Sequence, residues 1–159
     1  MELKAMAASL LFDDALVLQD VPAIEDVDRM SELLEGLGVG AKKRREGSFE
    51  IDPRSINRSE LKKEIAERLR ASLVLVGPLL ARLGKASFPY PGGCVIGRRP
   101  VDVFIDGWRA MGAEINEQKG NGFSAEAKKL RGIDYTFRVI SVSGTETLMM
   151  TAVLAEGRT

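Results

Sequence analysis

Residues 88–102 hold a group of side chains whose types and spacing suggest chemistry. The segment reads FPYPGGCVIGRRPVD, and its cysteine, Cys94, lies four and five residues before Arg98 and Arg99. Prolines and glycines disfavour regular structure here and let the backbone move or approach a ligand closely. Guanidinium groups and a helix N-terminus near a thiol favour its thiolate form, which is the better nucleophile. The sequence therefore predicts a reactive thiol on a loop.

The arginines stand just before a helix that is predicted to begin at Pro100. With the amides of its first turn they would clamp a phosphate or carboxylate, and a solvated surface pair is the alternative. Asp102 is expected in this first turn for helix-dipole reasons alone. Arg70 precedes a strongly apolar segment, so it either faces a polar cavity or is a plain surface arginine. Residues 141–145 are expected to cap a helix or to hold a ligand.

The composition excludes several classes of chemistry. The 159 residues include no histidine and one cysteine, which removes Ser-His and Cys-His catalysis, imidazole metal sites, disulfides and multi-cysteine zinc sites. Lysine plus arginine and aspartate plus glutamate both total 23, so no overall basic field favours nucleic acid. The longest apolar run, residues 73–81, is too short to span a bilayer. We expect a cytoplasmic protein without membrane segment, metal or cofactor.

Three apolar segments recur along the chain, centred near Leu11, Leu80 and Leu154, at intervals of 69 and 74 residues. Each is expected to form a helix that ends in a polar or glycine turn. The helix at residues 72–83 is apolar nearly all round, so other elements should enclose it on every side.

A second helix and two strands are predicted after each of the first two apolar helices. One of these second helices is expected to be capped by Asp26 and to end at Gly38, and the other is expected to end at Gly112. Alternating apolar residues and glycine turns then predict a hairpin in each unit. In the first unit the hairpin strands are predicted from residue 39 onward and at 48–51, and in the second unit at 113–115 and 123–125. Further strands are predicted at 16–21, 85–88 and 134–140. An outer amphipathic helix is predicted at 59–69.

This order of elements predicts an α/β fold built from repeated helix-strand-helix-strand-strand units. The first unit is expected over residues 1–58 and the second over residues 59–138. A third unit, truncated after its helix, is expected over residues 139–159. Together they would form a single lobe in which the sheets surround inner helices.

Four stretches of this sequence resemble the enolpyruvyl transferase family, and within it the UDP-N-acetylglucosamine 1-carboxyvinyltransferases. They are DVDRMSELLEGLG, RASLVLVGPLLARLG, PGGCVIGRRPVD around Cys94, and SVSGTETLMMTAVLAEGRT at the end. The resemblance covers essentially the whole chain, and the string around the cysteine is highly specific. It implies a pair of inside-out α/β lobes of three repeats each, of which this chain supplies the first.

The resemblance implies transfer of the enolpyruvyl group of phosphoenolpyruvate to the 3′-hydroxyl of UDP-N-acetylglucosamine, the first committed step of peptidoglycan synthesis. Cys94 matches the loop thiol that donates a proton to phosphoenolpyruvate, and Arg99 matches an arginine that contacts this substrate. Roles in cell-wall biogenesis, cell shape and cell division follow from the same resemblance. Sugar-nucleotide contacts, largely through backbone groups, are implied for Arg70, Arg99, Pro100, Val101, Asp102, Val103, Val139, Ile140, Ser141 and Val142.

The sequence departs from the family pattern in three respects. The family's Lys-Asn pair should stand just before Met1, the second lobe with its aspartate base lies outside this sequence, and Ser143 replaces a glycine. We therefore expect a partial enzyme that requires a second lobe or self-association. Two alternatives stay open: a non-catalytic nucleotide-sugar-binding or scaffold module derived from the lobe, and the less favoured shikimate-pathway sister enzyme, whose relatives lack the cysteine loop.

Overall fold

A computed structural model describes residues 2–45, 47–90 and 101–159. Within these ranges the chain forms α-helices, β-strands and short 3-10 helices. The α-helices are α1 Glu2–Ala8, α2 Glu25–Gly36, α3 Lys63–Ala66, α4 Val76–Leu83, α5 Asp102–Ala110 and α6 Val142–Ala152. The strands are β1 Leu16–Leu18, β2 Gly40–Arg45, β3 Ser48–Asp52, β4 Lys85–Phe88, β5 Glu114–Gln118 and β6 Gly122–Glu126, and the 3-10 helices are Ser9–Leu11, Pro53–Ser55 and Arg70–Leu75.

The strands form two antiparallel sheets of identical topology, β1-β3-β2 and β4-β6-β5. In each sheet the strand that comes last in the chain lies in the middle and pairs with both others. Phe49 and Ile51 of β3 are buried, as are Phe123 and Ala125 of β6. Since side chains alternate along a strand, each central strand turns one face to the core and the other outward.

Helices α2 and α5, the second helices of the first two units, end where Gly38 and Gly112 predict. The backbone takes a positive φ of 88° at Gly38 and 96° at Gly112, a conformation that favours glycine and terminates a helix. The prediction that Asp26 caps α2 is wrong, because the helix already begins at Glu25 and its N-cap residue is Ile24. Asp26 lies in the first turn, where a carboxylate is favoured by the helix dipole.

The inner helices α1, α4 and α6 lie together, with α4 packed against α6 and linked to α1 through the adjoining 3-10 helices. At one end Lys4 Nζ of α1 lies 2.7 Å from Glu146 Oε1 of α6. At the other end Arg82 of α4 donates to the carbonyl oxygens of Leu10 and Phe12, at 3.1 and 2.5 Å, and so satisfies groups left unpaired where the first helix ends. The N-terminal ends of the inner helices therefore share one side of the molecule.

Helix α4 is enclosed, as its apolar sequence predicts. Residues 72–80 are all buried, which includes the last four residues of the preceding 3-10 helix. Gly77 allows α6 to approach closely, because a Cβ atom at this position would lie 2.7 Å from the Thr147 carbonyl oxygen. The second unit thus packs its inner helix directly against that of the third.

The outer helix predicted at residues 59–69 is wrong over most of its length, since α3 comprises only Lys63–Ala66. The residues before it form a parallel bridge beside β4 instead. The Leu61 N–H donates to the Ser87 carbonyl at 2.9 Å, and the Ser87 N–H donates to the Ser59 carbonyl at 2.7 Å. Pairing with a sheet edge outweighs the amphipathic helical pattern of this segment.

The strand predicted at residues 134–140 is also wrong, because this segment is irregular. A parallel bridge precedes this segment: it joins Arg131 and Glu156, and the Gly132 N–H donates to the Glu156 carbonyl at 2.7 Å. A strand requires a facing backbone, and residues 134–140 meet none within the described ranges. The third apolar helix, α6, spans Val142–Ala152 and so lies before the predicted centre at Leu154.

The order helix, strand, helix, strand, strand occurs twice, as α1-β1-α2-β2-β3 and α4-β4-α5-β5-β6, and α6 follows. The α/β fold of repeated units is confirmed, whereas the exact residue boundaries of the units stay a prediction. No helix in the described ranges is both long and apolar enough to cross a membrane.

Candidate active site

The N-terminus of α6 is fixed by a side-chain cap. The Ser141 hydroxyl accepts a hydrogen bond from the Gly144 N–H at 3.1 Å, and the Thr145 hydroxyl donates to the Ser141 carbonyl at 2.9 Å. Gly144 is buried, and a Cβ atom there would lie 2.8 Å from Ser141 Oγ. Of the two readings of this segment, capping is therefore the one that the structure shows for the Ser141 side chain.

Apolar side chains next to this cap are open to solvent. The exposed fraction is 54% for Val139, 101% for Ile140 and 69% for Val142. Contiguous apolar exposure of this kind is typical of surfaces that bind a ligand or another polypeptide. We call residues 139–142 the α6 wall.

The N-terminus of α5 presents one predicted site residue outward and one inward. Val101 is the N-cap residue, and it makes no side-chain capping bond. Asp102 is exposed, whereas the Val103 side chain is 6% exposed and belongs to the core. The Val103 side chain is therefore part of the core, and the backbone contact that the resemblance implies for this residue stays a prediction.

Arg138 joins the α6 wall to the N-terminus of α5. Its Nη2 atom lies 2.9 Å from Asp106 Oδ2 and 3.4 Å from Asp102 Oδ2. The structure thus brings together two predicted groups, Asp102 and the α6 wall, through an arginine that the sequence did not single out. An exposed arginine gives no signal in a single sequence that distinguishes it from other surface charges.

Arg70 begins the 3-10 helix that leads into α4. It is half-buried, and its 3-10 helix packs against α1 and α6 as well as α4. Arg70 therefore lies toward the side where the N-terminal ends of the inner helices meet. The Lys4–Glu146 ion pair at these ends joins residues 142 positions apart, and no local sequence pattern could have revealed it.

The remaining predicted site residues, Cys94, Arg98, Arg99 and Pro100, lie outside the described residues. Their roles stay predictions. Within the described part of the chain, no three histidine, cysteine, aspartate or glutamate side chains come close enough to hold a metal ion.

Two grooves lie beside the helices, and the predicted segment 141–145 contributes Thr145 to the second of them. The larger, of about 1090 Å³, lies at the C-terminal ends of α4 and α5 and is lined by residues such as Gly84, Met111 and Arg131. Its position at the opposite end of the inner helices separates it from the α6 wall. The second, of about 870 Å³, runs between α6 and residues 133–137 and is lined largely by apolar side chains.

Tyr135 lies at the rim of this second groove, near the Arg138 contact. Burial raises the pKa of its phenol, the charge of Asp106 raises it further, and the charge of Arg138 lowers it. The phenol therefore stays protonated at neutral pH and contributes no charge to the surface. Its ring meets that of Phe137 edge to face, with centroids 5.1 Å apart.

Comparison with known proteins identifies the class to which this fold belongs. The profile of the EPSP synthase (3-phosphoshikimate 1-carboxyvinyltransferase) family matches residues 2–159. An enolpyruvyl transferase, NikO from Streptomyces tendae, superposes with a TM-score of 0.81 at 18% identity, over 98% of this chain and 37% of that one. EPSP synthase from Acinetobacter baumannii superposes with a TM-score of 0.73 at 20% identity, over 96% and 36% of the two chains. The chain belongs to the EPSP synthase family.

Within the family, several curated relatives carry one name. A UDP-N-acetylglucosamine 1-carboxyvinyltransferase of Prochlorococcus marinus (strain NATL1A) is 46% identical over 99% of this chain, and that of Idiomarina loihiensis is 42% identical over 99%. The enzyme of Gloeobacter violaceus is 45% identical over 99% of this chain. The chain spans only about a third of the length of these relatives, between 34% and 38%.

Proposed function

We propose that this chain is a catalytic lobe of a UDP-N-acetylglucosamine 1-carboxyvinyltransferase. The observation that carries the proposal is 41–46% identity to enzymes of that name along 99% of the chain. Two features of the structure support it: the Ser141 cap fixes the N-terminus of α6, and Arg138 lies 3.4 Å from the exposed Asp102. Substrate contacts are predicted for residues on both sides of this link. The reaction would serve peptidoglycan synthesis in the cytoplasm, and through it cell shape and division.

The proposed reaction is an addition followed by an elimination. The 3′-hydroxyl of UDP-N-acetylglucosamine would lose its proton to the aspartate that the resemblance implies in a second lobe, while its oxygen bonds to C2 of phosphoenolpyruvate. C3 would receive a proton from the Cys94 thiol, which becomes a thiolate. The thiolate would then take back a proton from C3 as phosphate leaves C2, which gives the enolpyruvyl ether and restores the thiol. Arg99 would hold phosphoenolpyruvate, since guanidinium groups bind phosphate and carboxylate oxygens in pairs.

The sugar nucleotide would bind between the N-terminus of α5 and the α6 wall. Asp102 would offer a carboxylate there, and residues 139–142 would offer apolar surface and backbone groups. Arg70 would add positive charge for the diphosphate at the N-terminal ends of the inner helices. A second lobe, or a second copy of this chain, would complete the cleft and exclude water.

The deciding experiment uses fosfomycin, an epoxide that mimics phosphoenolpyruvate. The chain is incubated with it, with and without UDP-N-acetylglucosamine, and covalent mass addition is measured on the intact protein. We expect addition at Cys94 that the sugar nucleotide accelerates and that Cys94→Ser abolishes. A thiol that reacts only after unfolding would contradict the proposal.

The alternative is a non-catalytic module that binds the nucleotide sugar or acts as a scaffold. It is favoured if the chain binds UDP-N-acetylglucosamine in a calorimetric titration while Cys94 does not react with fosfomycin. Absence of both binding and modification would contradict both functions.

A further inference from the structure

The segment that leads into the α6 wall belongs to no helix or strand, and the backbone bond from the Thr145 N–H to the Ser141 carbonyl, at 3.0 Å, begins only at Ser141. Residues 133–137, which lead into it, form no ladder within the described ranges. Side chains therefore have to hold the segment in place. Phe137 is one such anchor, because its Cε1 atom would lie 3.1 Å from a Cβ atom at Gly144, which means that the ring packs against the first turn of α6.

Arg138 is the second anchor, and it points to the other helix. Asp102 and Asp106 are one turn apart on α5, so their like charges repel each other. The Arg138 guanidinium lies within 3.4 Å of both carboxylates and offsets this repulsion while it holds the backbone next to Val139. The side chains of Arg138 and Asp102 are each 60% exposed, so the contact fixes position more than it stabilises the fold.

We infer that Arg138 is a positioning residue that clamps the α6 wall to the N-terminus of α5 and thereby sets the spacing of the nucleotide-sugar subsite. The identity of the ligand rests on the proposed function, whereas the clamp itself rests on the contacts of Arg138. Phe137 holds the segment against α6, and Arg138 holds it against α5. Residues 139–142, which follow these anchors and include the Ser141 cap, are thus kept in one arrangement.

The first test measures the clamp without any ligand. Backbone ¹⁵N relaxation is compared between the wild-type chain and Arg138→Gln. We expect the order parameters of Val139 and Ile140 to fall from about 0.8 to below about 0.6, while that of Gly144 stays unchanged. Arg131→Gln, which removes an exposed arginine in the same connection, is the matched control and should leave these amides unaffected. Unchanged order parameters in Arg138→Gln would overturn the inference.

The second test measures the consequence for binding. We expect Arg138→Gln to weaken UDP-N-acetylglucosamine binding about twofold to fivefold, with an unchanged midpoint of thermal unfolding. Arg138→Lys should recover part of the affinity, and the charge swap Arg138→Asp with Asp106→Arg should recover part as well. These recoveries separate positioning by charge from a loss of packing. An equal affinity of Arg138→Gln and wild type would overturn the inference.

The two tests distinguish failure of the clamp from failure of the proposed function. A wild-type chain that does not bind UDP-N-acetylglucosamine contradicts the function, and the relaxation measurement still decides whether Arg138 orders the α6 wall. A wild-type chain that binds, with equal order parameters in both proteins, contradicts the clamp alone.

Discussion

The indole N–H of Trp108 donates a hydrogen bond to the hydroxyl oxygen of Thr151, with a distance of 3.2 Å between the two atoms. The same hydroxyl donates to the Thr147 carbonyl at 2.9 Å, and neither Trp108 nor Thr151 is exposed to solvent. Helices α5 and α6 are therefore joined by a polar contact inside a largely apolar core. Such a contact fixes how the two helices face each other, because a shift would leave a buried donor unpaired.

We predict that Thr151→Val destabilises the chain by roughly 1–3 kcal/mol, the cost of a buried donor that has lost its partner. The substitution keeps the shape of the side chain but removes the acceptor for Trp108. Urea unfolding followed by tryptophan fluorescence measures the change. Thr136→Val is the matched control, because Thr136 is exposed, and we expect its effect to stay within about 0.5 kcal/mol. Equal effects of the two variants would contradict a role for the hydrogen bond.

The close approach of α4 and α6 predicts that substitution by alanine lowers stability at Gly77 but not at Gly36, although both glycines lie in helices. An added Cβ at Gly77 would lie 2.6 Å from Thr151 Oγ1 and 2.7 Å from the Thr147 carbonyl oxygen, and the backbone oxygen cannot move aside. The steric cost of roughly 1–3 kcal/mol exceeds the gain in helix propensity of at most about 1 kcal/mol. We therefore expect Gly77→Ala to be less stable than wild type in urea unfolding.

Gly36→Ala is the control for this prediction. A Cβ at Gly36 meets the Lys62 side chain at 2.9 Å, but its Cε atom lies at the far end of a flexible, exposed side chain. Lys62 is free to swing into solvent, so we expect Gly36→Ala to be neutral or slightly stabilising. If Gly77→Ala proved as well tolerated as Gly36→Ala, the described helix contact would be wrong.

The sequence predicts most of the fold where a local signal exists. Gly38 and Gly112 mark the ends of α2 and α5 because the chain needs a positive φ there, and this requirement acts within a few residues. Residues 59–61 contain no such signal, since their bridge to Ser87 depends on a partner more than twenty residues away. The irregular course of residues 134–140 has the same cause, because strand propensity alone cannot supply a partner.

In the candidate site, too, the sequence predicts the features that depend on local signals and misses the contact between distant residues. The Ser141 cap is predicted because a serine stands directly before a helix. The position of Asp102 in the first turn of α5 is predicted because the helix dipole favours an acid there. The link between them through Arg138 is a contact over 36 residues between exposed side chains. Charges of this kind are frequent on any surface, so only the folded arrangement shows which of them meet.

The contact between Asp52 and Arg54 predicts a pH dependence of stability. The Asp52 carboxylate accepts from the Arg54 side chain at 2.7 and 2.9 Å and from its backbone N–H at 3.1 Å, and the guanidinium bonds followed by the backbone bond lower the pKa of Asp52 to about 2. The unfolded pKa is about 3.9. A lowered pKa stabilises the fold above the unfolded value, and this contribution is lost as the pH falls from about 4 to about 2.

The measurement is the free energy of unfolding of wild type and Asp52→Asn from pH 7 down to pH 2. We expect wild type to be the more stable at pH 7 and the difference to shrink between about pH 4 and pH 2. Arg54→Gln should remove part of the same pH-dependent difference, because it takes away the guanidinium that lowers the pKa. A difference that is constant over this range would show that the pair does not affect titration of Asp52.

The last prediction concerns catalysis by this chain alone. The chain spans about a third of the length of the relatives with which it shares 41–46% identity, and the resemblance places the aspartate base and further arginines in a second lobe. The cleft would therefore lack the groups that deprotonate the sugar hydroxyl and neutralise phosphate. We expect no phosphate release above the blank when the chain is mixed with phosphoenolpyruvate and UDP-N-acetylglucosamine, although the sugar nucleotide still accelerates modification of Cys94 by fosfomycin. A continuous phosphate assay measures this, with Cys94→Ser as the background. Turnover that Cys94→Ser abolishes would show that the chain carries a complete active site.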